Sequence, residues 1–299
     1  MKIKFVLSKT NWTTFHNYYW TQALKEQFDF VFIEDNPTIS PQDSLLVSNL
    51  TTDRWYQDLY DSGYKLVLDL CWGSQPINQE RTFLLEPVDF FWYNDAMLYK
   101  SRGYDTYRPN KNYQHTALVP MANRRTWRDD FYNQLKPHLD NMIWSYIELL
   151  GRHLPGDVST QKDPHLYRAE WYDTTYFSAI SETSIVPEGI LMSEKTFKPL
   201  AFYHPFVTYG RPGLLARLHY LGFETFPELF DESYDLIDNG NFRLNLVVAN
   251  IVNFKKEPYS PTTLDKLEHN HNLFYNQDSI NHRINTDIID PILNFANVV

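Results

Sequence analysis

The chain has 299 residues, with Lys+Arg 27 against Asp+Glu 37, a net charge of −10 at pH 7 and a sequence pI near 5.4. That length accommodates two domains with separate cores, and so acidic a surface repels nucleic acid and anionic membranes at long range, which counts against a non-specific polyanion partner. One cysteine, Cys71, excludes an intramolecular disulfide framework and fits a reducing compartment.

Residues 1–11 alternate charged and apolar groups and lack the apolar core of a signal peptide. No apolar run approaches the roughly 20 residues that span a bilayer, so a cytoplasmic protein is expected. Residues 2–7 predict a first strand, 15–27 a helix, 30–33 a second strand, 45–47 a third, 52–61 a helix and 64–70 a fourth strand. Residues 90–93 predict a fifth, with Asn94 and Asp95 at its carboxyl end and a helix over 96–102. Strands alternating with helices argue for a parallel sheet covered on both faces. The polar stretch 102–115, with Pro109, reads as a linker.

The second half repeats the alternation. Residues 117–121 predict a strand, 123–128 a basic loop, 129–136 a helix stopped by Pro137, 142–148 a strand and 149–168 a loop. Residues 176–180 lead into Glu182 and Thr183, and 206–209, 214–221 and 242–255 predict a strand and two helices. Asp290 as N-cap with Pro291 at the first helical position predicts a terminal helix to about residue 296. His204, before Pro205, reads as a packed turn residue. The run Glu268-His269-Asn270-His271 has no matching cysteine or carboxylate spacing for a metal and reads as a solvated loop.

The segment 193–213, SEKTFKPLAFYHPFVTYGRPG, organises the chain. Ser193 can cap a helix whose first turn carries Glu194, where the dipole favours negative charge. Lys195 and Lys198 are three apart and Glu194 and Lys198 four apart, so the heads converge, and Phe197, Leu200 and Ala201 face inward. Free backbone N–H groups and two ammonium groups there suit a phosphate. The plainer alternative is a capped surface helix with an ordinary ion pair. Arg124, Arg125 and Arg128 follow a predicted strand, and guanidinium forks match phosphate oxygens. Arg128 is expected to face solvent.

Ser193-Glu194-Lys195 resembles the motif that opens the nucleotide-binding helix in the second domain of GT-B-fold glycosyltransferases, notably fucosyltransferase-like enzymes. The longer run to Asp235, with His204-Pro205-Phe206, Pro212-Gly213 and residues 221–226, is similar to glycosyltransferases of large tailed phages and bacterial polysaccharide loci. Trp171-Tyr172-Asp173 and Trp92-Tyr93-Asn94-Asp95 extend the resemblance over roughly residues 90–235. It implies an α/β fold of two Rossmann-like domains facing across a cleft: residues 1–115 on the acceptor side, 116–285 binding a nucleotide sugar, and 286–299 as a helix packing back on the first domain.

The same resemblance implies that Glu194 holds the donor ribose, that Lys195 meets the phosphates with Lys198 in support, and that Arg124 or Arg125 reaches the diphosphate. Ser193 opens the helix, and Glu182 is a further donor-side candidate, against a reading as a helix cap or ion-pair acid. Transfer also needs a base for the acceptor hydroxyl. Asp95 is the first choice because the resemblance reaches it; Asp69 and Glu34 follow.

The expected activity is metal-independent, inverting transfer of a hexosyl or related group from a nucleotide sugar, which is substrate rather than cofactor, to a glycan or other hydroxyl. Hydroxymethylated DNA bases stay open as acceptor. The alternatives are a non-catalytic nucleotide- or carbohydrate-binding protein and a nucleotide-sugar epimerase or hydrolase on the same fold. No Asp-x-Asp triplet, G-x-G-x-x-G or P-loop occurs.

Overall fold

The computed structural model describes residues 4–7, 29–32, 44–48, 61, 65–69, 82–85, 90–157, 168–185 and 192–297. The chain divides into two compact units: Met1–Asn94 with Glu188–Ile190 and Asn276–Val299, and Asp95–Pro187 with Leu191–Tyr275.

In the first unit β1 (Lys4–Leu7), β2 (Asp29–Phe32), β3 (Ser44–Ser48), β4 (Lys65–Asp69) and β5 (Thr82–Leu85) form a parallel sheet in the order β2-β1-β3-β4-β5. Lys4 pairs with both Asp29 and Ser44, and Leu66 with Thr82. Short runs rich in Val, Leu and Phe form these strands, as expected of a pleated, covered sheet. Four of them fall where the sequence predicts strands. The fifth does not: residues 90–93 open helix α1 (Phe90–Ser101). Buried Trp92, Tyr93, Ala96 and Tyr99 recur at helical spacing, so the apolar run is one turn of a helix face. Asp95 therefore lies inside a helix, not at the end of a strand. The predicted helices over 15–27 and 52–61 lie outside the described residues, except for helical Asp61, and so does Glu34.

The second unit holds a four-stranded parallel sheet of β6 (His115–Val119), β7 (Met142–Trp144), β8 (Thr175–Ser181) and β9 (Phe206–Tyr209), in the order β7-β6-β8-β9. Its central strands are buried on both faces, through Ala117, Leu118, Val119, Phe177, Ala179, Ile180 and Val207. The connecting helices are α2 (Thr126–Leu135), α3 (Ile147–Leu150), α4 (Ala169–Asp173), α5 (Glu194–Ala201) and α6 (Leu214–Leu221), followed by α7 (Gly240–Val252) and α8 (Pro261–Phe274). The strand predicted over 142–148 stops at Trp144. There the Ser145 hydroxyl donates to the Met121 carbonyl at 3.1 Å, and residues 147–150 form a helical turn ended by left-handed Gly151.

The stretch read as a linker is tied to α4. Asp173 accepts from the Tyr107 hydroxyl at 2.5 Å and the Asn110 N–H at 3.0 Å, while the Lys111 ammonium donates to the Tyr172 carbonyl at 3.0 Å. The run 268–271 is helical rather than a loop, because Ser260 caps α8 and Pro261 supplies its first turn. Its Asn270 and His271 are buried, and the His271 ring stacks on Tyr203 with centroids 4.1 Å apart.

At the C-terminus α9 (Gln277–Ile284) runs through a π-helical turn, Asn285–Ile289, into α10 (Asp290–Asn297). Asp290 has helical angles, φ −60 and ψ −45, and so is not an N-cap. Pro291 lacks the N–H that the Asp287 carbonyl needs, and the helix widens just before it.

Candidate functional site

In the second sheet the chain goes from β6 outward to β7, then returns past β6 to β8 and β9. The order therefore reverses between β6 and β8, where open α/β sheets place ligands at the carboxyl ends of their strands. A cavity of about 100 Å³ lies there. Its walls include Pro120 and Met121 after β6, Ile180 on β8, Tyr172, Asp157, and the charged residues of α5, Glu194 and Lys195 in the first turn and Lys198 in the next.

The start of α5 is built from its sequence as expected. Ser193 is extended, φ −114 and ψ −177, and its hydroxyl accepts from the Lys195 N–H at 3.4 Å. Thr196, Phe197, Leu200 and Ala201 pack inward at helical spacing. Pro199 sits inside the helix, so the Lys195 carbonyl has no N–H four residues on. The expected crown of free backbone donors does not form. The Thr196 and Phe197 N–H groups bond the Ser193 carbonyl, and the Lys195 N–H bonds the Ser193 hydroxyl. Two ammonium groups, rather than bare amides, make the helix start electropositive.

Lys195 and Glu194 form an ion pair at 2.5 Å, with side-chain exposures of 14% and 12%. The Lys195 ammonium also lies 3.3 Å from the hydroxyls of both Thr183 and Ser193. Burial of Glu194 works to raise its pKa, but the Lys195 charge and hydrogen bond, with Lys198 behind them, outweigh it and hold the carboxylate below the usual value. A paired, part-buried carboxylate beside two cations can accept from ligand hydroxyls while the cations meet negative oxygens.

Glu182, just past β8, is 1% exposed and spends all its acceptor capacity on its own chain. One carboxylate oxygen accepts from the Ser193 N–H at 3.0 Å and the Thr196 hydroxyl at 2.6 Å. The other accepts from the Thr183 N–H at 2.8 Å and the Ser193 hydroxyl at 2.6 Å. Four bonds fill the lone-pair positions of a carboxylate. Glu182 thus ties the end of β8 to the start of α5 and fixes the Ser193 hydroxyl beside Lys195.

Arg128 is the residue the sequence places least well. Expected in solvent, it is 2% exposed, and its guanidinium donates to the carbonyls of Asn123 at 2.9 Å, Ser181 at 3.2 Å and Glu182 at 3.1 Å. Burial lowers its pKa, against the charges of Glu182 and Glu194. Its position two residues into α2, just behind a basic loop, was the available signal. Arg124 and Arg125 are exposed; Arg124 pairs with Asp129 at 2.9 Å, and Arg125 stands at the N-cap of α2. Neither lines the cavity.

Asp95 is 0% exposed, one turn before Tyr99, whose hydroxyl is pushed well above its ordinary pKa, first by burial and then by the Asp95 charge. Asp69 is the last residue of β4. His204 is a packed residue, as expected, 0% exposed: Ser178 bonds its Nδ1 at 2.7 Å and the Thr175 carbonyl its Nε2 at 3.0 Å. Among the described residues no three His, Cys, Asp or Glu side chains converge as metal ligands, and no helix is long and apolar enough to cross a membrane.

No protein-family model and no curated protein matches the chain. Its fold is similar to solved structures of α1,3-fucosyltransferase. One, determined with GDP-fucose, gives a TM-score of 0.54 at 11% identity over 99% of this chain and 90% of that one. Another gives 0.51 at 11% identity over 93% of this chain and 92% of that one. At such identity the likeness is one of fold.

Proposed function

We propose that the protein is a glycosyltransferase that takes a sugar from a nucleotide-sugar donor held by its second unit. The observation that carries this reading is the cluster of Lys195, Lys198 and Glu194 at the start of α5, lining the cavity at the strand-order reversal. The ammonium groups would neutralise the departing diphosphate, the main electrostatic demand of glycosyl transfer. Glu194 would accept from sugar or ribose hydroxyls. A cavity of about 100 Å³ takes a fragment of such a ligand, not all of it, so the diphosphate is the part assigned to it. The fold likeness to an α1,3-fucosyltransferase determined with GDP-fucose supports the donor class.

Glu182 and Ser193 act through position: they hold the α5 start and set the Ser193 hydroxyl beside Lys195. Arg125, exposed at the head of α2, would reach a donor phosphate, and Arg124 would do so on leaving its pair with Asp129. For the acceptor base we favour Asp69 over Asp95. Asp69 is the last residue of a parallel strand, whereas Asp95 is 0% exposed within α1. We further propose that transfer proceeds without metal and with inversion, by a single displacement on the donor carbon.

A thermal-shift panel of nucleoside diphosphates tests the donor site. At about a hundred times its dissociation constant, a ligand stabilises the fold by roughly 2.7 kcal/mol. The Lys195→Ala variant should lose that shift. A shift that survives this substitution in a folded variant would refute the donor-site assignment.

A further inference from the structure

A second and larger cavity, of about 490 Å³, lies in the same unit, where the amino-terminal residues His115 and Met142 of β6 and β7 meet the loop before α4. Among the described residues that line it are two guanidinium groups, Arg152 and Arg168, against one carboxylate, Glu170. Both arginines are held in place. Arg152 lies over the Trp144 ring at 4.0 Å and donates from Nε to the Trp144 carbonyl at 3.3 Å. Its own carbonyl accepts from the Tyr146 N–H at 3.0 Å, which anchors the loop.

Arg168 packs on Gly156, whose φ of +74 and missing side chain leave the room: a Cβ there would stand 3.0 Å from the Arg168 Nη1. The Trp171 indole closes the wall by donating to the Pro155 carbonyl at 3.0 Å. Arg168 nevertheless has no carboxylate partner among the described residues, and its Nε is buried without a hydrogen bond. A guanidinium that lines a cavity without a carboxylate partner is poised for an oxyanion, since guanidinium forks match carboxylate and phosphate oxygens. Met142, Ile143 and Pro155 offer an apolar wall to the rest of such a ligand, and the volume falls in the range of small-molecule sites.

We propose that this cavity binds a sugar-sized organic anion, a saccharide carrying a phosphate or carboxylate group, with Arg168 and Arg152 on its oxyanion. The site is separate from the cavity at Lys195, although Trp171 lines both. Calorimetric titration of the full chain with glucose 6-phosphate and with glucuronate, against neutral glucose, tests it and tells the two anion sources apart. At least one anion should bind and glucose should not. Arg168→Gln and Arg152→Gln should each weaken binding about tenfold or more, the loss expected for a charge-assisted bond. Glu170→Gln, which removes the opposing charge, should strengthen it. Lys195→Ala should leave this affinity unchanged while removing the nucleoside diphosphate response, so the two sites fail independently. If Arg168→Gln does not fold, Arg152→Gln and Glu170→Gln decide. The proposal is overturned if neither anion binds, if both folded arginine variants bind as the parent does, or if Lys195→Ala abolishes the anion binding.

Discussion

Replacing Glu182 by alanine removes at once the acceptor of four hydrogen bonds, from the Thr183 and Ser193 N–H groups and the Ser193 and Thr196 hydroxyls. Bonds to a charged group contribute about 1.5–3 kcal/mol each, and a buried donor left unmet costs about 1–3 kcal/mol. The four share one carboxylate and do not add, and the hydroxyls can turn to other acceptors. The two backbone donors cannot, and Ser193 is 1% exposed. The expected cost is therefore about 3–5 kcal/mol, a large part of the ~5–15 kcal/mol that separates folded from unfolded states. Glu182→Gln keeps the volume and one acceptor oxygen, and should cost about half as much. Urea denaturation followed by tryptophan fluorescence measures both. Trp127, whose indole donates to the Glu182 carbonyl at 3.2 Å, places a reporter beside the change. Because the same carboxylate fixes the Ser193 hydroxyl beside Lys195 and the Thr183 backbone, Glu182→Gln should also weaken nucleoside diphosphate binding under conditions where the variant is fully folded. An Ala variant that loses less than about 1 kcal/mol, and binds nucleotide as the parent does, would falsify the tie between β8 and α5 as the support of the site.

His204 and Glu194 act in different pH windows. His204 is kept neutral, its pKa lowered well below the ordinary value first by burial and then by the Lys111 charge, so the folded state binds fewer protons than the unfolded one below about pH 6.5. Its stabilising effect is complete above that pH and declines as pH falls towards the folded pKa; His204→Gln should flatten this limb of a stability–pH curve. Glu194 has a lowered pKa, so its contribution is present above the unfolded carboxylate value of about 4.3 and is lost as pH falls through the folded one; Glu194→Gln should remove that later limb. Asp69→Asn should abolish transfer and spare the nucleotide-induced thermal shift, whereas Asp95→Asn should change stability and leave transfer intact; the reverse pattern in turnover assays would reassign the base. Gly210→Ala puts a Cβ 2.7 Å from the Leu214 Cδ1, in a fully buried contact, and should lower stability by about 1–3 kcal/mol in thermal unfolding.

What could be read in the sequence was set by local chemistry. Ser193 before Glu194-Lys195, with Phe197, Leu200 and Ala201 at helical spacing, states a capped amphipathic helix without help from the rest of the chain, and α5 follows it. The strand 206–209 and helix 214–221 are bounded by Pro and Gly residues, and both match to the residue. Where period and length conflict, sequence decides badly. Residues 90–93 offer four apolar positions, enough for a strand, and only the burial of Ala96 and Tyr99 one and two turns later reveals the helix.

The roles of Glu182 and Arg128 were hidden for a different reason. Each is a charged residue whose partners are backbone groups or hydroxyls gathered by a chain connection, the crossover from β6 through β7 to β8 for Arg128, with partners 53 and 54 residues away, and the passage from β8 to α5 for Glu182, with partners 11 and 14 away. No spacing rule reports a carbonyl that distant. The sheet order also gathers Lys195 and Lys198 at one strand end in a chain of net charge −10, while the two carboxylates that line the same cavity have partners on their own chain, Glu194 in Lys195 and Asp157 in His153. Local field, not whole-molecule charge, then governs what the cavity can bind.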